Sequence, residues 1–453
     1  MLIDKEKALA RLIDLCEDPL LIKIRRALGP EAKLHLVGGS TRDILCGNES
    51  VDLDLATSLK PSDLIQKLCA AELRFVETAI ERGIVLIPGH PKIEITSFRE
   101  PSGTNNPAFS DSVTSDLKGR DFTINAIAFS IDDKILLDPL HGIMDLELNV
   151  LRCVGSPFDR FNEDPLRILR MLRFGPAQDR SIHTDTREAA LALREELRKV
   201  SIERIHDEFE KIIMSKNPAN ALRCGFDLRI IDVILPELTP MRDFEQNRFH
   251  FEDVLAHTLT VVSRCPKDKI VRLAALFHDA GKPLTLSVDE DGDRHFYQHE
   301  KLSEKIARSV LERLRFSKED IDGVTTLVAQ HMRSIDCGPS GARRIMRDTR
   351  EHYDAWRQLK IADCPPVEKE AVFRERLRRF DELIATEKER LQGNGIDQLV
   401  INGDDLLALG FKEGEELGQC LMTLRDMIVE DPILNSRERL LLEASKILSD
   451  SKK

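Results

Sequence analysis

The chain has 453 residues, enough on a scale of roughly 150 residues per domain for about three domains with buried cores, and too many for a small disulfide-held scaffold. Its 67 Lys+Arg against 79 Asp+Glu give a formal net charge of −12, so any bound nucleic acid must be gripped by a local basic surface rather than a global positive field. With 42% hydrophobic and 32% charged residues the composition excludes a disordered chain, and charge is too interspersed for a membrane span.

The first thirty residues scatter both signs of charge through their apolar positions, so no secretory core is read there and a cytoplasmic chain is expected. Nine widely spaced cysteines without a C-x-x-C pair read as reduced thiols. Apolar residues recur at helical spacing over 6–28, after which Leu34, Leu36 and Val37 read as a short strand meeting a tight turn at Gly38-Gly39. VDLDLA (51–56), GIVLIP (83–88), KIEITSF (92–98) and KILLDP (134–139) read as strands, and 61–72 as a helix opened by Pro61 and Ser62. The Ser, Asn, Pro and Gly content of 101–116 predicts a mobile loop. From Asp164 onward the hydrophobic period is about 3.6, so the remainder is expected to be mostly helical. Pro236 and Pro240 punctuate a junction before a His-bearing block at 250–363, and a charged helical tail begins near 367. DEDGD (289–293) has the wrong ligand spacing for a calcium loop and reads as a solvated turn.

The densest chemistry lies in LVGGSTRDILCG followed by VDLDLA. Strand alternation puts Asp52 and Asp54 on one face, where like charges are costly unless a divalent cation such as Mg²⁺ binds between them. Gly38 and Gly39 let the backbone approach a triphosphate and Arg42 neutralises phosphate charge, so the group fits metal-assisted nucleotidyl transfer. Glu94 is a candidate third carboxylate, for a second metal or for the proton of an attacking hydroxyl, or else an exposed strand residue. In EDPLRILRMLRF, Asp164, Arg167, Arg170 and Arg173 follow an i, i+3 ridge expected to project from one helix face. An Asp and an Arg side by side can read the edge of C or A, although a solvated face of local ion pairs has the same spacing.

These stretches, with EITSFR, GRDFTINAIAF (119–129), DPLHGIMDL and, in the tail, INGDDLLALGFKEGEELG, occur in the order found in class II tRNA nucleotidyltransferases. Over nearly its whole length the chain resembles that family, the CCA-adding enzymes and their bacterial poly(A) polymerase relatives. The resemblance implies an α+β protein: a polymerase-β-like nucleotidyltransferase head at 1–155, a helical neck at 156–245, an HD domain at 246–365 and a helical tRNA-binding tail at 366–453. It implies that Asp52 and Asp54 bind Mg²⁺, Gly39 and Arg42 hold the triphosphate, Arg120 and Asp121 engage the ribose, Asp164 and Arg167 select C or A, and Arg170 and Arg173 complete the nucleotide site. Gly119 stands where the family usually has a further Arg. In the HD block, His257, His278, Asp279 and Asp363 are the implied ligands of a transition metal (Ni, Co, Mn or Fe), with His299 and His331 where some HD proteins hold a second metal or substrate phosphates. The implied partners are tRNA, CTP and ATP, with no membrane. CC-only addition, A-only addition, poly(A) synthesis and, in another class, an HD phosphohydrolase remain alternatives.

Overall fold

In the computed structural model the chain forms two compact units, Met1–Thr239 and Pro240–Lys453. The residues described are 3–48, 52–79, 83–89, 91–100, 108–244, 253–364, 370–390 and 398–450. Val51 and the 101–107 part of the expected loop lie outside them.

The first unit is built on a seven-stranded sheet. Its strands are β1 (His35–Val37), β2 (Asp52–Thr57), β3 (Val76–Ala79), β4 (Ile84–Ile87), β5 (Lys92–Ser97), β6 (Ala128–Ser130) and β7 (Leu136–Leu137), in the order β3-β4-β5-β2-β1-β6-β7. Among the described residues of this sheet only β2 and β5 pair in parallel, in a register that sets Asp54 beside Glu94. Alternation divides the faces. Leu53, Leu55, Ile93 and Ile95 join α1 (Lys5–Leu15), α2 (Pro19–Leu28) and, through Leu64 and Leu68, the later helix Pro61–Ala70 in one core. Each fully buried Leu or Ile contributes about 1.5–3 kcal/mol, so this one-sided core fixes the register that leaves Asp52, Asp54 and Glu94 on the other face. The run expected over 6–28 is thus two helices, because Asp18 caps the second by accepting hydrogen bonds from the Leu20 and Leu21 amides.

Three further expectations are corrected. No separate turn follows β1: helix α3 (Gly38–Leu45) opens directly at Gly38, whose φ of 64° suits glycine. After α4 (Pro61–Ala70), the segment expected to be a mobile loop ends in α5 (Val113–Lys118), because the Ser112 hydroxyl caps it and Asp116 ties it down by accepting from the Arg99 amide. The strand expected over 134–139 shrinks to two residues.

Helix α6 (Gly142–Glu147) braces this head from DPLHGIMDL: Asp138 accepts from the Gly142 and Ile143 amides, and Asp145 accepts from the Thr123 hydroxyl at 2.7 Å and pairs with Arg152 at 3.1 Å. A Cβ on Gly142 would lie 2.1 Å from the Thr123 carbonyl oxygen. Gly142→Ala is therefore expected to cost about 1–3 kcal/mol or more by overpacking, read as a lowered thermal midpoint; an unchanged midpoint would contradict the close approach.

Among the described residues the rest is helical with connecting turns, apart from two small two-stranded sheets. In the second unit the helices Val254–Arg264, Lys269–Phe277, His299–Arg313, Lys318–Gln330 and Tyr353–Ala362 bury Leu273, Val310, Leu327 and Trp356. DEDGD is the turn of a hairpin, with Asp289 accepting from the Asp291 and Asp293 amides. The tail helices share a small core around Leu406, Leu424 and Leu440. No helix among the described residues is long and apolar enough to cross a membrane, and no disulfide joins the cysteines there.

Candidate active site

The first turn of α3 clamps the end of β2. The Ser40 hydroxyl donates to the Asp52 carbonyl at 3.0 Å and accepts from the Asp54 amide at 2.7 Å. Strand alternation then turns both carboxylates to the same side, with Asp52 exposed and Asp54 half-buried. Glycine is needed here: a Cβ at Gly38 would come 2.8 Å from Arg120 Nη1, and one at Gly39 would come 3.3 Å from Asp54 Oδ2. Burial pushes the Asp54 carboxyl above its ordinary value, and Asp52 pushes the same way against Arg120, the Gly39 amide and Arg42. Glu94 is also raised, by burial first and then by Asp54. Three carboxylates share one face of the sheet, two of them hard to ionise, a donor type that fits a divalent cation.

Opposite them stands an arc of arginines. A break divides α7 (Pro157–Glu163) from α8 (Arg167–Phe174), because a residue preceding proline is driven out of the helical region: Asp164, before Pro165, has φ −148° and ψ 97°. Asp164 therefore does not share the helix face of Arg167, Arg170 and Arg173, as the i, i+3 spacing predicts. It accepts from the Leu166 amide at 3.2 Å and pairs with Arg204 at 2.7 Å. Arg167 donates to the Arg160 and Gly119 carbonyls, both at 3.1 Å, and pairs with Glu163 at 2.8 Å. Arg170 pairs with Asp121 at 2.7 Å, and Arg173 with Glu208 at 2.8 Å. Burial opposes ionisation of Asp121, yet Arg170, the Asn125 amide and the Phe122 amide hold its carboxyl below the usual range. Burial lowers Arg173 to about 10, which leaves it a cation at neutral pH.

A chain of hydrogen bonds links the two sides: Arg42 donates to Asn125 Oδ1 at 2.6 Å, Asn125 to Asp121 Oδ1 at 3.0 Å, and Arg170 to Asp121 Oδ2 at 2.8 Å. The guanidinium carbons of Arg42, Arg170 and Arg173 lie 4.9, 5.0 and 4.1 Å from the Phe174 ring centroid, so one aromatic ring organises three cations. Arg120 is held by Asp116 at 3.0 Å. Of the residues singled out in the first unit, Gly38, Gly39, Arg42, Asp54, Glu94, Arg120, Asp121, Asp164, Arg167, Arg170 and Arg173 line one cleft of ≈ 1120 Å³. Asp52 is not among its walls and sits beside Asp54 on the same strand.

The residues missed from sequence are the holders: Asp116, Asn125, Glu163, Phe174, Arg204 and Glu208. Asp116 carried a signal, four residues before Arg120, and Asn125 lies inside GRDFTINA; Glu208 and Arg204 come from a distant helix and carried none.

In the second unit His257, His278, Asp279 and Asp363 do converge. His257 Nε2 lies 3.1 Å from Asp363 Oδ1, and His278 Nε2 lies 3.2 Å from Asp279 Oδ2. His299 and His331 reach the other side of Asp279, and all six line a cavity of ≈ 620 Å³. Burial opposes ionisation of Asp363, but His257 and His278 hold its carboxyl at about 2. Burial, then His278, lowers His331 to about 3, so that imidazole is neutral. Burial opposes protonation of His278, but the neighbouring Asp279 and Asp363 push it the other way, toward its protonated form, and the set of imidazole nitrogens and carboxylates is of the donor type that fits a transition-metal ion.

Three family models match: the poly(A) polymerase head domain over residues 34–152, a probable RNA- and SrmB-binding site of polymerase A over 181–242, and the HD domain over 250–364. A CCA-adding enzyme of Streptococcus mutans is 30% identical over 436 residues, 93% of this chain and 94% of that one. A CCA-adding enzyme of Ligilactobacillus salivarius is 39% identical over 219 residues, 47% of this chain and only 52% of that one, so the chain aligns with about half the length of this relative. An A-adding tRNA nucleotidyltransferase of Deinococcus radiodurans is 29% identical over 411 residues, 86% of this chain and 90% of that one. Among solved structures, the fold is like that of the Bacillus stearothermophilus CCA-adding enzyme in complex with CTP, with TM-score 0.68, 21% identity and coverage of 92% of this chain and 94% of that one. It is also like that of the Thermotoga maritima CCA-adding enzyme complexed with tRNA, with TM-score 0.58, 19% identity and coverage of 97% and 98%.

Proposed function

The chain belongs to the family of CCA-adding enzymes, and from that premise we propose that it adds C and A nucleotides to the 3′ end of tRNA, using CTP and ATP, in the cytoplasm. The observation that carries the reading is the cleft that brings Asp54 of β2 and Glu94 of β5, with Asp52 beside Asp54 on its strand, opposite the arginine arc of α8.

Asp52 and Asp54 would hold the divalent cation, taken to be Mg²⁺, whose chemistry is to neutralise phosphate charge and polarise the α-phosphorus. The amides at the start of α3 and the Arg42 guanidinium bind the triphosphate, as a helix N-terminus and a fixed cation do for any phosphate. Arg120 and Asp121 meet the ribose, and Arg170 and Arg173 hold the nucleotide against the Phe174 wall. Asp164 and Arg167 offer acceptor and donor to the edge of C or A. The tRNA 3′-oxygen attacks the α-phosphorus, the bond to the β-phosphate oxygen breaks, and pyrophosphate leaves. Glu94 suits the proton released by the hydroxyl, since a carboxyl raised by burial is a better base than an ordinary one.

The deciding experiment offers tRNA lacking CCA, lacking CA and lacking only the terminal A, each with CTP or ATP alone. Two CMP additions followed by one AMP are expected. AMP addition without CMP addition would assign the A-adding activity named for the Deinococcus relative, and an unlimited A tail would assign poly(A) synthesis.

A second reading is favoured by the histidine cluster: a phosphohydrolase in the HD domain, in which water adds to phosphorus, the ester bond breaks and the leaving oxygen takes the proton. Nickel, cobalt, manganese or iron suits its ligands His257, His278, Asp279 and Asp363.

A further inference from the structure

Arg180 stands half-buried in the wall of the cleft, beside Phe174. The turn after α8 brings it there: Pro176–Gln178 form one short helical turn, Asp179 is left-handed with φ 60°, and the Arg180 amide returns to the Gly175 carbonyl at 3.0 Å. Its Nη1 donates to the Phe174 carbonyl at 3.1 Å and its Nη2 to Cys46 Sγ at 3.9 Å, while Nε is buried without an acceptor. Arg42 pairs with Asp43 at 2.7 Å, and Arg120, Arg170 and Arg173 pair with Asp116, Asp121 and Glu208, whereas among the described residues no carboxylate pairs with Arg180. The adjacent Asp179 is engaged elsewhere, accepting from Asn217 at 2.5 Å and Asn220 at 3.0 Å and pairing with Lys216 at 3.4 Å. Cys46 is no counter-anion either: burial pushes its thiol up, against Arg180 and Arg42, so it is neutral at pH 7. A guanidinium withdrawn from water without a counter-charge is costly, and an anionic ligand beside it offsets that cost.

The order of groups along α3 says which anion. Gly39, Arg42 and Cys46 follow the 3, 4 spacing of one helix face, which starts beside Asp54 and ends at Arg180. Helical side chains lean toward the N-terminus, so the Arg42 guanidinium lies over Gly39, its Nη2 3.8 Å from where a Cβ would stand. Cys46, with Arg180 on its thiol, comes about 6 Å farther along, one turn of the helix. We propose that Arg180 binds the γ-phosphate of CTP or ATP and so makes the cleft select nucleoside triphosphates over diphosphates. The inference deepens the nucleotidyl-transfer reading and rests on it. The α-phosphate belongs at the carboxylates, where the bond to the leaving group breaks, the β-phosphate falls to Arg42, and the γ-phosphate falls to the cation that has no counter-ion of its own. Two of the five N–H donors of Arg180 are engaged, and a guanidinium fork can give two parallel bonds to a terminal phosphate.

The test measures binding of CMP, CDP and CTP, and of the matching adenosine series, to the full-length protein in magnesium without tRNA. The unaltered chain is expected to bind each triphosphate at least about tenfold more tightly than its diphosphate, and Arg180→Leu to lose about tenfold or more of that preference while CMP and AMP bind as before. Arg180→Lys should keep part of it, as a point charge without the fork. The thermal midpoint of Arg180→Leu without nucleotide should be unchanged or higher, since an unmatched charge has gone. Equal losses for mono-, di- and triphosphate would make Arg180 a support of Phe174 and overturn the proposal. A loss shared by di- and triphosphate would move the contact to the β-phosphate and overturn it as well, as would a raised KM for tRNA with triphosphate binding unchanged, which would give Arg180 to the RNA backbone. Triphosphate preference in a chain that adds neither CMP nor AMP to tRNA would overturn the nucleotidyl-transfer reading alone, and normal addition by Arg180→Leu with its preference intact would overturn the role of Arg180 alone.

Discussion

Asp54→Ala, and separately Asp52→Ala, are expected to lower CMP and AMP addition by about a hundredfold to a thousandfold or more, since a metal held at the reacting phosphate supplies several kcal/mol of charge stabilisation at about 1.4 kcal/mol per factor of ten. The fold should survive. Burial and Asp52 raise the Asp54 carboxyl above its unfolded value, so between the two values the folded protein binds more protons than the unfolded chain. Lowering the pH through that window stabilises the metal-free protein, and raising it costs stability as Asp54 ionises. Glu94 acts in the same sense. Asp54→Ala removes its own share of that dependence, and Asp52→Ala weakens it by relieving the like-charge contact. Thermal midpoints in chelator across this pH range, beside primer-extension rates in magnesium, check both statements. Appreciable magnesium-dependent addition by both single variants would place the chemistry elsewhere.

The carboxylate site was legible because it is local: alternation along six residues of β2 and a glycine pair suffice to set Asp52 and Asp54 beside the first turn of α3. Even there the partner strand was not readable, since the parallel register of β2 with β5 depends on a core shared with α1, α2 and α4 rather than on either strand. The arginine ridge shows the opposite failure. Spacing alone put Asp164 on the helix with Arg167, while Pro165 breaks that helix, so a one-residue backbone rule outranked a clear period. What the sequence could not disclose is the set of holders: Glu208 pairs with Arg173 and Arg204 with Asp164 across the neck, and no spacing predicts a contact closed by helix packing. In the second unit the His and Asp residues that converge were readable, but the position of Asp279 between two histidine pairs exists only in three dimensions.

The break at Asp164 sharpens the expectation for base selection. Set off from α8, Asp164 keeps one lone pair on each oxygen beyond the bonds to the Leu166 amide and Arg204, and Arg167 has five N–H donors of which the three bonds to Arg160, Glu163 and Gly119 take up part. An acceptor and a donor held this firmly match the amino group and ring acceptor of C or A, and meet a carbonyl where U or G would present one. Asp164→Ala or Arg167→Ala should each remove a charge-assisted bond of about 1.5–3 kcal/mol, a loss of roughly ten- to a hundredfold in kcat/KM for CTP and ATP. UTP and GTP gain nothing from those bonds, so their rates should fall less and the preference against them should collapse toward the same factor. Competition between CTP and UTP, and between ATP and GTP, on one tRNA substrate measures this directly. If both variants lost rate equally with all four nucleotides, Asp164 and Arg167 would be supports of the cleft wall, and the edge of the base would have to be read by other groups.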